Sequence, residues 1–248
     1  MQIVVIIPAR YRSTRFEGKP LKQKIEGKPM IQRVFERVNE CAKKSERIKD
    51  VIVATDDQRI FDAVLAFNGK AIITGADNRT GTDRVAEAAE KLGLALDDVI
   101  VNIQGDQPEI VSEHLDDVIS PFLNEPDVEM STLAFKIVKP DEITNPEDCK
   151  VTFDSQGWAL YFSRSPIPCA RDTDTVFDTY KHLGIYAYTR RFLEKFRKLP
   201  EGKLEAIEKL EQLRVLENGH RIRVVITQHD SPEIDTPEDF ARRGLSQD

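Results

Sequence analysis

The sequence predicts an α/β fold, a mixed but mostly parallel central sheet flanked by helices, with a partly antiparallel subdomain inserted at about 126–190. Three observations predict it. Short apolar runs without polar alternation, QIVVII at 2–7, DVIVA at 50–54 and DVIVNI at 98–103, read as strands buried on both faces. Amphipathic stretches separate these runs, the rhythm of β-α-β units joined by right-handed crossovers. After residue 125 the rhythm gives way to alternating strands and a tight turn.

The elements follow in order. Gln2–Ile7 is the first strand, and Met30 to about Cys41 the first long helix, with Pro29 at its start. Asp50–Ala54 is a strand, Asp57–Phe67 a helix and Lys70–Ile73 a short strand. Thr82–Leu92 is a helix whose Ala86, Ala88 and Ala89 allow close packing, and Asp98–Ile103 is the fourth strand. Beyond these, Glu129–Val138 alternates like a strand with one wet face. Lys150–Asp154 and Trp158–Ser163 flank SQG as a hairpin, and Lys181–Tyr188 is another strand. Lys203–Leu216 reads as one continuous helix stopped by Asn218-Gly219, before a last strand at Arg221–Thr227.

Composition narrows the chemistry. A net charge of -7 argues against nucleic acid as a partner, because a face for it needs clustered positive charge. No apolar run approaches the ~20 residues that span a bilayer, and no basic n-region precedes the first strand, so neither membrane span nor signal peptide is expected. Three widely spaced cysteines, Cys41, Cys149 and Cys169, fit neither a disulfide framework nor a zinc site, and point to a cytoplasmic protein. Against this acidity, residues 1–24 carry six basic side chains and one acidic, a local charge of +5. The pattern suits a small anionic ligand.

Four of the six basic side chains lie in IIPARYRSTRFEGKPL at 6–21, which leaves the carboxyl end of the first strand. Ligands of open α/β sheets bind at that edge. The loop has no GxxxxGK[ST] and is not a Walker A loop. Backbone N–H groups with Arg10, Arg15 and Lys19 still offer directional donors and point charges for phosphates. In NIQGDQP at 102–108, Asp106 stands past the fourth strand on the same edge. A carboxylate facing phosphates makes electrostatic sense with a cation between them, and Mg²⁺ on one or two carboxylates plus phosphates is the usual arrangement. In EIDTPED at 233–239, Thr236 and Pro237 start a helix and leave Asp235 unexplained, so Asp106 and Asp235 together form a candidate Mg²⁺ pair.

Four further segments carry candidates. RTGTDRV at 79–85 offers small hydroxyls and a glycine to a base or phosphate, and is equally a plain capping segment. On the helix at 203–216, Leu204, Ile207 and Val215 share a side at 100° per residue, and Glu211 falls among them. A carboxylate there is costly unless paired, ligated or snorkelling at an edge, and Gln212 lies further round. In YFSRSPIP at 161–168, Arg164 precedes two stiffening prolines and suits bidentate capture of a carboxylate. In KHLGIYAY at 181–188, His182 and Tyr186 are four apart and point to one face of a strand; each alone is as readily a packed polar residue.

Together these motifs, in this order from residue 3 to about 240, resemble the CMP-KDO synthetases, the 3-deoxy-manno-octulosonate (KDO) cytidylyltransferases of lipopolysaccharide synthesis. The resemblance implies a Rossmann-like nucleotidyltransferase fold spanning residues 1–248 as one domain, a homodimer, Mg²⁺ dependence, and CTP and KDO as substrates. It implies that Ala9, Arg10, Arg15 and Lys19 hold the nucleotide phosphates, that Thr80, Gly81 and Thr82 face the cytosine with Arg84 beside them, and that Asp106 and Asp235 ligate Mg²⁺. Arg10, Lys19, Asp106 and Asp235 would carry catalysis, and Gln104, Arg164, His182, Tyr186, Glu211 and Gln212 would line the sugar-acid pocket. Thr80, Glu109 and Glu233 depart from residues more usual in the family and leave room for another acidic sugar, 8-amino-KDO or a sialic acid. A nucleotide-binding regulator without catalysis is a further alternative, which two carboxylates near phosphates argue against.

Overall fold

The computed structural model describes residues 1–11, 17–22, 24–25, 27–172 and 174–231. β1 (Ile3–Ala9) is followed by the short α1 (Lys19–Lys22), the two-residue strands β2 (Lys24–Ile25) and β3 (Lys28–Pro29), and α2 (Met30–Lys44). The chain continues through β4 (Ile48–Thr55), α3 (Gln58–Ala66), β5 (Ala71–Ile73), α4 (Gly81–Lys91), β6 (Val99–Asn102) and α5 (Ser112–Asn124). Then come β7 (Met130–Lys136), α6 (Pro140–Thr144), β8 (Lys150–Phe153), β9 (Ala159–Ser163), β10 (Tyr180–Thr189) and α7 (Arg190–Phe196). Helices α8 (Lys203–Glu208) and α9 (Gln212–Glu217) precede β11 (Arg223–Thr227).

The central sheet runs β11-β7-β10-β6-β1-β4-β5, with β8 and β9 attached to β10. Strands β6, β1, β4 and β5 pair in parallel, as the sequence rhythm requires. β10 runs antiparallel to both β6 and β7, which makes the sheet mixed. β7 and β10, expected within an inserted antiparallel segment, are thus full members of the central sheet. All seven residues of β1 are buried. Its side chains alternate between two cores: Ile3, Val5, Ile7 and Ala9 join α2, α3 and α5, whereas Val4 and Ile6 join α4, α7 and α9. Two apolar faces are why the strand shows no polar alternation.

The order of the strands opens a crevice. The chain steps from β1 outward to β4 and β5, then crosses back to lay β6 on the other side of β1. Ligands bind at such a switch point, beyond the carboxyl ends of the strands. β6 leaves the ladder at Asn102, paired with Ile6, while β1 continues beside β4 to Ala9. Pro8 therefore sits beyond the β6 pairing, where its missing N–H breaks no bond to that strand.

Two helices that periodicity alone leaves unassigned, α5 and α7, cover the sheet. In α5, Pro121 cannot donate to the carbonyl of Asp117, and the Ser120 hydroxyl does so instead at 2.8 Å. The largest departure lies at 203–216. The expected single helix is two, broken where Lys209 adopts φ 55°, ψ 46°. The break undoes the predicted apolar side: Val215 is buried, but Ile207 is 77% exposed. A buried ion pair holds the halves together, with Arg214 Nε 2.8 Å and Nη2 2.5 Å from the Glu205 carboxylate. Glu217 reaches back to accept from the Leu204 and Glu205 N–H groups, so close to Gly202 that a Cβ there would lie 1.8 Å from its Oε2.

Candidate active site

Ala9 ends β1 buried, and Arg10 emerges from it exposed. Gly18 adopts φ 79°, donates to the Tyr11 carbonyl at 2.8 Å and lies under the Tyr11 ring, where a Cβ would meet Cζ at 2.9 Å. It brings Lys19 back to the strand edge. The Lys19 ammonium lies 2.9 Å from Asp106 Oδ2, with 12% and 25% of the two side chains exposed. The other carboxylate oxygen, Asp106 Oδ1, is buried and has no hydrogen-bond partner among the described residues. Gly105 lets this loop approach β1: a Cβ there would crowd the Pro8 carbonyl at 3.2 Å. Arg15 and Asp235 lie outside the described residues.

The start of α4 overhangs the same crevice. Thr80 caps the helix by accepting from the Asp83 N–H at 3.1 Å, and a Cβ on Gly81 would lie 3.6 Å from Pro8 Cγ and 3.7 Å from Gln104 Oε1. Gln104 also donates to Asn102 Oδ1 at 3.4 Å. Arg84 is the residue expected beside the base. It is buried, donates to the Thr74 hydroxyl at 2.5 Å and pairs with Asp56 at 3.1 Å, so its guanidinium ties α4 to the ends of β4 and β5.

Opposite lies the sugar-side group. His182 and Tyr186 meet at 5.1 Å between ring centroids across an irregular stretch of β10. The carbonyls freed there are taken by side chains: Gln107 Nε2 donates to Leu183 O at 2.6 Å and the Thr132 hydroxyl to Ile185 O at 2.7 Å. Because the Thr132 hydroxyl spends its proton on Ile185, its contact with His182 Nε2 at 2.9 Å makes that nitrogen the donor. Desolvation pushes the His182 pKa down to about 3, so the ring is neutral although part of it reaches solvent. The Tyr186 hydroxyl donates to Gln212 Oε1 at 3.1 Å.

The helix break aims Glu211 into the same space. It is no snorkelling edge residue: its Oε2 is buried without a hydrogen-bond partner among the described residues. Burial pushes its pKa up, against the Thr80 and Thr82 hydroxyls, which face the carboxyl and pull it down. Glu211 thereby joins residues expected on the cytosine side to the sugar-side group. Tyr188, with its phenol pushed up by burial, contacts Thr82 and Asn102 there. Asn102 Nδ2 is a buried donor without a hydrogen-bond partner among the described residues. Asn102 and Tyr188 were not singled out from the sequence; their signals are an asparagine ending an apolar strand and a tyrosine two residues past Tyr186.

Arg164 sits at the rim, half-buried. Its Nε donates to the Glu208 carbonyl at 2.7 Å and Nη1 to the Pro146 carbonyl at 2.8 Å. The side-on fork through Nε is therefore occupied, and an incoming carboxylate would find the end-on fork of Nη1 and Nη2. Lys150 is fully buried beside it, donating to Asn145 O at 2.7 Å, and burial pushes its pKa down.

Among the described residues, no three His, Cys, Asp or Glu side chains gather to hold a metal ion. The buried, unpartnered Asp106 Oδ1 nevertheless fits a cation shared with phosphates, a mode that needs few protein ligands. No helix is long and apolar enough to cross a membrane among the described residues.

Known proteins are similar to this chain in sequence and in fold. The chain is 59% identical to the 3-deoxy-manno-octulosonate cytidylyltransferase of Desulfosudis oleivorans, over 98% of this chain and 96% of that one. It is 52% identical to the 8-amino-3,8-dideoxy-manno-octulosonate cytidylyltransferase of Shewanella piezotolerans, over 97% and 96%. A solved structure of CMP:2-keto-3-deoxy-manno-octonic acid synthetase complexed with CTP superposes with a TM-score of 0.88 at 40% identity, covering 98% of this chain and 97% of that one. Residues 4–222 match the model of the cytidylyltransferase family, and this chain belongs to that family.

Proposed function

We propose that this chain transfers CMP from CTP to the anomeric hydroxyl of KDO, giving CMP-KDO and pyrophosphate for lipopolysaccharide synthesis. The observation that carries the reading is the pair of Lys19 and Asp106 at the β1/β6 crevice, 2.9 Å apart with one carboxylate oxygen left over. A cation on that oxygen and an ammonium beside it suit a triphosphate. The relatives' substrates supply the identity of base and sugar.

In the reaction the anomeric oxygen attacks the α-phosphorus, the bond from that phosphorus to the bridging oxygen breaks, and pyrophosphate leaves. Such transfers depend on positioning and charge neutralisation. Arg10, Arg15 and Lys19 hold the phosphates. Thr80, Gly81 and Thr82 lie along the cytosine. Arg164 takes the sugar carboxylate, and Gln104, neutral His182, Tyr186, Glu211 and Gln212 bond the sugar hydroxyls. Asp106, with Asp235 by resemblance, would hold Mg²⁺, which when bound neutralises phosphate charge and acidifies the attacking hydroxyl. The resemblance also supports a homodimer working in the cytoplasm.

A second reading, 8-amino-KDO as substrate, is favoured by the 52% identity to an enzyme named for it. Pyrophosphate release from CTP with KDO, 8-amino-KDO and N-acetylneuraminate separates the readings. KDO should give the highest kcat/KM. Preference for the amino sugar would move the chain to the second reading, and no release with any of them would overturn both.

A further inference from the structure

Glu208 stands outside every motif, yet three of its oxygens serve the segment that carries Arg164. Its Oε1 accepts from the Ser163 hydroxyl at 2.9 Å, Oε2 from the Arg164 N–H at 3.0 Å, and its main-chain oxygen from Arg164 Nε at 2.7 Å. That last bond exists because the helix stops. In a continuous helix the Glu208 carbonyl would accept from the N–H of Gln212. Lys209 turns left-handed instead, at φ 55°, and the carbonyl is given to the guanidinium. With Pro146 O on Nη1, two of the three guanidinium nitrogens are fixed and the plane is set.

We propose that Glu208 is a positioning residue, which orients Arg164 so that its end-on fork meets the carboxylate of the sugar acid. The inference rests on the reading that Arg164 binds that carboxylate. A planar fork repays orientation in a way that a rotating ammonium does not.

The test is a double-mutant cycle read as steady-state KM for KDO and for CTP, with kcat and the thermal midpoint alongside. Glu208→Ala keeps the main-chain oxygen that receives Nε but removes both carboxylate bonds that anchor the Ser163–Arg164 segment; it should raise the KM for KDO by about 10-fold and leave that for CTP within about 2-fold, because a misplaced fork is felt only by the ligand it holds. Glu208→Gln, whose amide oxygen still accepts one of the two bonds, should recover to within about 3-fold of the parent. In an Arg164→Lys background, Glu208→Ala should add little, since a residue acting through another is not additive with it. Additive effects, equal losses for both substrates, or an unchanged KM for KDO would overturn the proposal. If Arg164→Lys raises the KM for KDO and Glu208→Ala does not, Glu208 alone is wrong. If Arg164→Lys is silent, the carboxylate-binding reading falls and takes the proposal with it. Should Glu208→Ala fail to fold, Glu208→Gln completes the cycle, and additivity with Arg164→Lys then overturns the idea.

Discussion

Lys19 and Asp106 meet at 2.9 Å across the switch point of the sheet, 87 residues apart in the chain. Each is half of a site that is electrostatically incomplete alone. The lysine suits phosphate, the carboxylate suits a cation, and their contact holds both at the crevice before any ligand arrives. Asp106→Asn keeps the shape and removes the charge. It should lower turnover by at least ~100-fold, measured as pyrophosphate release at saturating Mg²⁺. Lys19→Ala should cost more in kcat than in calorimetric CTP affinity, because its contact strengthens as charge develops. A loss confined to affinity would make Lys19 a plain binder.

Glu211 should set a pH dependence of stability. Burial raises its folded pKa above 4.5, so above that pH the folded state keeps a proton that the unfolded state releases. The stability it lends is therefore complete below 4.5 and is lost as pH rises. Glu211→Gln cannot ionise. Its thermal midpoint should match the parent near pH 4 and exceed it near pH 8, while its use of KDO falls. A midpoint difference independent of pH would mean that the carboxyl titrates in the fold as it does in the unfolded chain.

His182 acts at the acid end. Its folded pKa of about 3 lies below the ordinary 6.5, so between these values the unfolded chain binds the extra proton. Stability therefore rises with pH through that window and is flat above it for this group. His182→Gln, which can still donate to Thr132, should flatten the acid limb of a midpoint-versus-pH curve. Identical acid limbs would show that His182 titrates normally.

The helix break makes two further variants informative. Lys209→Gly removes the cost of a left-handed side-chain residue and should leave stability unchanged or raise it by about 1 kcal/mol, whereas Lys209→Val should lower it by ~1–2 kcal/mol. Arg214→Met strands the buried Glu205 carboxylate and should cost about 3–5 kcal/mol in chemical denaturation. Small losses in both Lys209→Val and Arg214→Met would show that the break is loosely held.

The parallel half of the fold was legible because burial on two faces writes itself into sequence as uninterrupted apolar runs. β1, β4 and β6 need no partner to be recognised. The crevice followed as well, since a basic loop and a carboxylate both leave strand ends. Helices α5 and α7 were not read; Pro121 inside α5 disguises it, and only the Ser120 hydroxyl on the Asp117 carbonyl shows how the helix tolerates it. The 203–216 segment misled for a similar reason. Local periodicity favours one helix there, and the forces that break it come from Glu205, Arg214 and Glu217 folding onto each other.

By itself the sequence determined the strands, the charged edge and the family of chemistry, because these depend on residue type and local order. Tertiary structure alone decided which polar groups share a space. It buried Arg84 against Asp56, brought Glu211 to Thr80 and Thr82, and turned a glutamate without a motif toward Arg164. Each of those placements rests on a hydrogen bond or an ion pair between residues distant in the chain or on one left-handed residue, and neither leaves a periodic trace in the sequence.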